Sequence, residues 1–288
     1  MKGIWTSLKK YISIFTKEFV LGGHMTALEA LAMIFSVILL SDLSPNLVIL
    51  IIPYLIAQLI YSYNQIREAK FDADTNPERV RHFKNQHKLK LLLFVVYFAL
   101  LIISLIFTNF NIVMFVIFIV ICGFAYTDYF KTLNIRGFKN FYAALFWVLV
   151  ILTIPFYYHL KITAFYTFSM LVFFLTVFVN TIFFDIKDIL GDRQRNIRTY
   201  PVIWGVKKTI YVLCLIKLIS IVPIIISVYY HFLPYEFIFF IIIVFYGILY
   251  ITSALYLKGK KLRLFSYIIA DAEFILWLLL LLLVKIIL

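Results

Sequence analysis

Runs of apolar residues long enough to cross a bilayer follow one another along this chain with only short polar intervals, and that removes most folds from consideration. Such runs read near residues 25–41, 46–63, 91–108, 112–127, 140–158, 164–184, 209–228, 236–256 and 265–287. A helix needs about 20 apolar residues to span the hydrocarbon core, and in lipid the backbone must satisfy its own polar groups. The pattern predicts an all-α polytopic membrane bundle of nine transmembrane helices, forming one domain over 1–288. Glu29 and Pro53 interrupt the first two runs, which makes these the least regular spans. With 64% hydrophobic and 14% charged residues, the composition lies outside the soluble globular range.

Charge placement tests the same reading. Of the 27 Lys and Arg, 24 fall in the N-terminal segment and in the loops after the second, fourth, sixth and eighth runs, leaving Lys161, Lys217 and Lys285. Basic residues accumulate on the cytoplasmic side of short loops. The N-terminus and these four loops are therefore expected in the cytoplasm and the C-terminus outside, in the cell membrane if the source is prokaryotic. Topology thus accounts for the net charge of +13, and no basic soluble domain remains to bind nucleic acid. Residues 1–24 read as a basic interfacial lead-in without a cleavable signal pattern. Cys122 and Cys214 fall in predicted spans and make neither a disulfide framework nor a zinc site, and the five histidines have no transition-metal spacing.

The polar chemistry sits in the inner loops. Asp185, Asp188 and Asp192 follow the sixth run at spacings that place them on one helical face, where they repel one another unless a cation intervenes. Hard divalent ions such as Mg2+ take carboxylate oxygens together with substrate phosphate oxygens. The plain alternative is a solvated acidic helix end. Asn64, Glu68 and Asp72 recur at four-residue steps after the second run, before Asn76-Pro77 breaks the helix. Two acidic faces, each at the inner end of an even-numbered span, allow both to meet across one cavity and hold metal ions jointly. The loop holding Tyr126, Lys131, Gly137, Lys139 and Asn140 offers cations to the same mouth. No glycine-rich phosphate loop is present.

In these residues the chain resembles the UbiA superfamily of intramembrane prenyltransferases. The first family motif, an Asn-Asp or Asn-Gln pair followed by two spaced carboxylates, is matched by Asn64-Gln65, Glu68 and Asp72, with Glu68 where Asp is usual; Asp74 is a further candidate there. The second is matched by Asp185, Asp188, Gly191, Asp192 and Arg193, then Arg198-Thr199-Tyr200-Pro201-Val202 and Gly205, in the form found among ether-lipid, chlorophyll and homogentisate prenyltransferases. Tyr126, Lys131, Gly137, Lys139 and Asn140 match a third signature.

The resemblance implies a nine-helix bundle that ionises a prenyl diphosphate with Mg2+ and joins the prenyl group to a hydrophobic aromatic or lipid acceptor, within membrane lipid. It implies metal binding by Asn64, Glu68, Asp72, Asp185, Asp188 and Asp192. Diphosphate contacts fall to Arg79, Lys131, Arg193 and Arg198, and direct catalytic roles to Asp188, Asp192 and Lys131. Tyr126, Tyr129 and Tyr200 are candidates to face the allylic cation, although with 31 Phe and 20 Tyr the default role of any aromatic is packing. Among intramembrane ionisable residues, Glu29, Asp271 and Glu273 stand out; for the last two, contact with an acceptor and interfacial solvation are both open. Two other functions fit parts of the pattern: a terpene cyclase acting on the same diphosphate, and a transporter or lipid-binding protein whose acidic loops bind cations without chemistry.

Overall fold

The computed structural model describes residues 15–69, 72–73 and 75–287. Asp74 and most of the predicted interfacial lead-in lie outside the described residues. The chain opens with α1 (Phe15–Leu21), which meets α2 (His24–Leu40) at a 64° bend. Gly23 makes the bend: its φ of 89° is left-handed, and a Cβ there would lie 2.2 Å from the Tyr61 ring. Then come α3 (Leu47–Glu68), α4 (Pro77–Asn85), α5 (His87–Ile106), α6 (Phe110–Asp128), α7 (Phe138–Leu149) and α8 (Thr153–Tyr157). The second half holds α9 (Ala164–Gln194), α10 (Tyr200–Ile219), α11 (Ile221–Tyr229), α12 (Phe240–Ser253), α13 (Gly259–Ile268) and α14 (Glu273–Ile287).

Eight helices or helix pairs among the described residues are long and apolar enough to cross a membrane, and α1 with α2 makes a ninth if the bent pair is one span. The interruptions at Glu29 and Pro53 do not end their helices. Glu29 is buried within α2, and Pro53 is buried inside α3, which continues through it. α9 is the longest element at 31 residues and runs well past the apolar stretch that ends at Phe184. It ends in a left-handed turn at Asn196 (φ 55°), where Ile197 N–H donates to the Asp192 carbonyl at 2.8 Å.

Packing separates core from lipid face. α5 buries Lys90, Tyr97 and Leu101 and turns residues such as Leu92, Val95 and Phe98 outward. α3 instead packs on α2, α5 and α6, while α9 packs on α7 and α10. Phe173, Phe240, Phe274 and Trp277 interlock where α9, α12 and α14 meet, and each is buried. These contacts hold the ends of α3 and α9 in fixed relation, and the acidic motifs lie at those ends.

Candidate active site

Asp185, Asp188 and Asp192 project from one face of α9, as their spacing predicts, into a cavity of about 230 Å³. Asn64 and Asp72 line the same cavity, so the two acidic faces do meet. Gly191 permits the approach: a Cβ there would lie 2.7 Å from Thr75 Cγ2, in the loop after α3. From that loop Asn76 Nδ2 donates to Asp188 Oδ1 at 2.9 Å, and Tyr267 OH donates to Asn76 Oδ1 at 2.5 Å. Asn76 therefore joins both motifs to α13.

Each motif carboxylate has a basic partner. Lys139 Nζ bridges Asp185 at 2.7 Å and Asp192 at 3.3 Å, and Asn140 Nδ2 donates to the second Asp185 oxygen at 2.8 Å. Lys187 pairs with Asp188 at 2.7 Å. Glu68, buried, pairs with Lys131 and with Arg195 at 3.2 Å, while Arg79 pairs with Asp72 at 3.0 Å. Burial alone would weaken the charge of Arg79, but Tyr61, Asp72, Tyr267 and Glu68 outweigh it and raise its pKa. Among the described residues no three of the acids converge as a ready metal cage; ammonium and guanidinium groups stand between them.

A carboxylate that already faces a flexible ammonium is poised to exchange that counter-charge. The acids present only hard oxygen donors, and the lysines and arginines beside them are suited to phosphate oxygens. This donor set fits Mg2+ with a diphosphate. Glu68 is not among the residues lining the cavity, but its partners Lys131 and Arg195 are, so its carboxylate lies directly behind them.

The charged cavity continues into an apolar one. Thr26, Tyr61, Asn64, Tyr126 and Ala143 line both. The second cavity, also about 230 Å³, is walled by Ile56, Ile60, Ile119, Phe146, Trp147 and Val150 among others. Tyr126 thus stands where the charged and apolar spaces join.

Two expected diphosphate ligands are not brought in. Arg193 and Arg198 are exposed and do not line the cavity. Arg193 follows inward-facing Asp192, so its side chain leaves the helix about 100° round. Tyr129 is 70% exposed, and Tyr200 packs on Trp204 and beside Gly137; neither lines either cavity. Conversely, Asn76, Lys187, Arg195 and Tyr267 line or frame the site without having been singled out. Lys187 next to Asp188 reads as a neighbour on another helix face, and only its long stem lets it turn back to the acid.

Comparison with known proteins agrees with this architecture. The UbiA prenyltransferase family model matches residues 25–284. No curated protein matches the chain. Among solved structures, a UbiA homologue from Aeropyrum pernix K1 is similar at 15% identity and a TM-score of 0.65, covering 88% of this chain and 97% of its own. A UbiA homologue from Archaeoglobus fulgidus bound to GPP and Mg2+ follows at 15% identity and 0.61, over 92% and 99%. A digeranylgeranylglyceryl phosphate synthase is similar at 14% identity and 0.58, over 94% and 98%. At such identities the likeness is one of fold, and the family match carries the assignment. The chain belongs to the UbiA prenyltransferase family, and with it to the membrane-embedded prenyltransferases.

Proposed function

We propose that this enzyme uses Mg2+ to transfer a prenyl group from a prenyl diphosphate to an apolar aromatic or lipid acceptor, releasing diphosphate. The observation that carries the reading is the joining of a carboxylate- and lysine-lined cavity to an apolar one through Tyr61, Asn64 and Tyr126. A prenyl diphosphate has the same two halves. The bound homologue with GPP and Mg2+ supports the choice of ligand.

Asn64, Glu68, Asp72, Asp185, Asp188 and Asp192 would hold the metal, which when bound supplies Lewis-acid stabilisation to the departing diphosphate. Arg79, Lys131, Lys139, Lys187 and Arg195 face the same space and would take the remaining phosphate oxygens as the acids exchange partners. Lys131 reaches in from the loop after α6, and Lys139 from the start of α7. Charge placed in advance where it develops in the transition state contributes about 3–4 kcal/mol per donor. Tyr126, which lines both halves, would present its ring to the allylic carbon. The apolar walls exclude water, which would otherwise capture the cation. The lysine and arginine bias supports a cytoplasmic N-terminus and cytoplasmic site loops.

Purified protein incubated with GPP and Mg2+, with phenol and glycerol-lipid acceptors supplied separately, tests the reading. Diphosphate release with an acceptor adduct is expected. Diphosphate with a cyclic hydrocarbon replaces transfer by cyclisation, and absence of diphosphate release contradicts enzyme action on this donor.

A further inference from the structure

Among the described residues, Asp271 is the cavity carboxylate that no basic side chain neutralises directly. It lies in the short helical turn Ala270–Ala272 between α13 and α14, is buried, and lines the charged cavity. Its hydrogen-bond partner is neutral: Thr26 Oγ1 on α2 donates to Asp271 Oδ2 at 3.0 Å. Lys187, whose charge reaches it, is already bonded to Asp188 at 2.7 Å. Thr26 lines the apolar cavity as well as the charged one, so this pair stands at the seam where an allylic cation would meet its acceptor.

We propose that Asp271 is the catalytic base that takes the proton of a hydroxyl-bearing acceptor. This rests on the transferase reading above. The balance is complete without another reactant. The allylic C–O bond breaks and its electron pair leaves with diphosphate. An oxygen lone pair of the acceptor, or the π-electron pair of a phenol ring, forms the new bond to the allylic carbon. The O–H or ring C–H proton then passes to Asp271, which becomes a carboxylic acid and later returns the proton to water.

The other ionisable groups are less suited. Glu273 is held by Lys217 and by Tyr250 OH at 3.0 Å, and neither it nor Glu29 lines the cavity. The acids of the two motifs are committed to basic partners and to the diphosphate. Thr26 fixes one carboxylate oxygen of Asp271 and thereby orients the other, which makes it a positioning residue.

The test uses the full-length protein with GPP, Mg2+ and a panel of phenols and glycerol-lipid alcohols, reading adduct formed per diphosphate released. Asp271→Asn is expected to lower adduct formation about 100-fold, with prenyl alcohol taking a larger share of the product. Asp271→Ala is expected to regain adduct on addition of formate. Thr26→Val, which keeps the carboxylate but frees it, is expected to lower the same ratio several-fold, and Thr26→Ser to restore it. A phenol or a lipid alcohol emerging as the adduct distinguishes the two acceptor sources. An unchanged ratio in both Asp271→Asn and Thr26→Val, with the wild type making adduct, overturns the base and leaves the transferase standing. Parallel loss of diphosphate and adduct in folded Asp271→Asn also overturns it. A wild type that releases no diphosphate overturns both.

Discussion

Gly191 on α9 meets Thr75 so closely that a Cβ would come within 2.7 Å of Thr75 Cγ2, whereas Thr75 Oγ1 would stay 3.6 Å away. One methyl group therefore decides whether the first acidic loop can rest on the second acidic helix. Gly191→Ala is expected to push that loop off α9 and lower activity about tenfold or more, at a cost of about 1–3 kcal/mol in packing. Thr75→Ser in the same chain removes the offending methyl and is expected to restore most of the loss. Additive rather than compensating effects in a double-mutant cycle would show that the contact does not set the register.

Lys139 bridges Asp185 and Asp192 from α7, and both acids are buried. Lys139→Met leaves two close carboxylates without their shared cation. A fall of about 100-fold or more in the rate of diphosphate release is expected, larger than for Arg193→Met, because Arg193 is exposed. Equal effects at the two positions would contradict the cavity boundaries.

Deeper in the bundle, Lys217 and Glu273 are both fully buried and joined directly, with Tyr250 completing the carboxylate's hydrogen bonds. Removing one partner strands a charge in the membrane interior. Lys217→Met is expected to destabilise the protein by about 3–5 kcal/mol, seen as a lower unfolding temperature in detergent. The Lys217→Met, Glu273→Leu pair is expected to recover much of this. If the pair is as unstable as the single variant, charge stranding is not the cause.

Glu78 accepts from two of the three guanidinium nitrogens of Arg263, Nε and Nη2, each at 2.8 Å, tying α4 to α13. Arg263 holds the Glu78 carboxyl below the usual carboxylate range. A lowered folded-state pKa means the contribution is present above the unfolded value of about 4.3 and is lost as pH falls through the folded value. Glu78→Gln is therefore expected to lower the unfolding temperature slightly at pH 7 and to match the wild type in strong acid. A gap that persists in acid would point to packing instead. The effect is small because the pair is partly solvated.

The helix count and the two acidic faces were legible because both follow from local periodicity: apolar length marks a span, and spacings of three, four and seven mark one face. Long-range pairing was not. Asn76 reads as the residue before a helix-breaking Pro77, yet it bonds Asp188, 112 residues away. Arg195 reaches Glu68 across a similar separation. No pattern on one strand of sequence reports such a contact. Arg193 and Arg198 show the converse: motif position suggested a role, but helical geometry turns the former away, and the latter is exposed outside the cavity. The interruptions at Glu29 and Pro53 mattered little because both residues are buried inside helices that continue through them.

On the proposed mechanism the two acidic faces act together on Mg2+ and a prenyl diphosphate. Diphosphate release from GPP, measured against added Mg2+ for the wild type, Asp188→Asn, Asp192→Asn and Glu68→Gln, tests it most directly. Saturable Mg2+ dependence in the wild type, abolished by EDTA, is expected, with losses of about 100-fold or more in variants from either face. Wild-type release without a divalent ion, or full activity in any folded variant from either face, would contradict it.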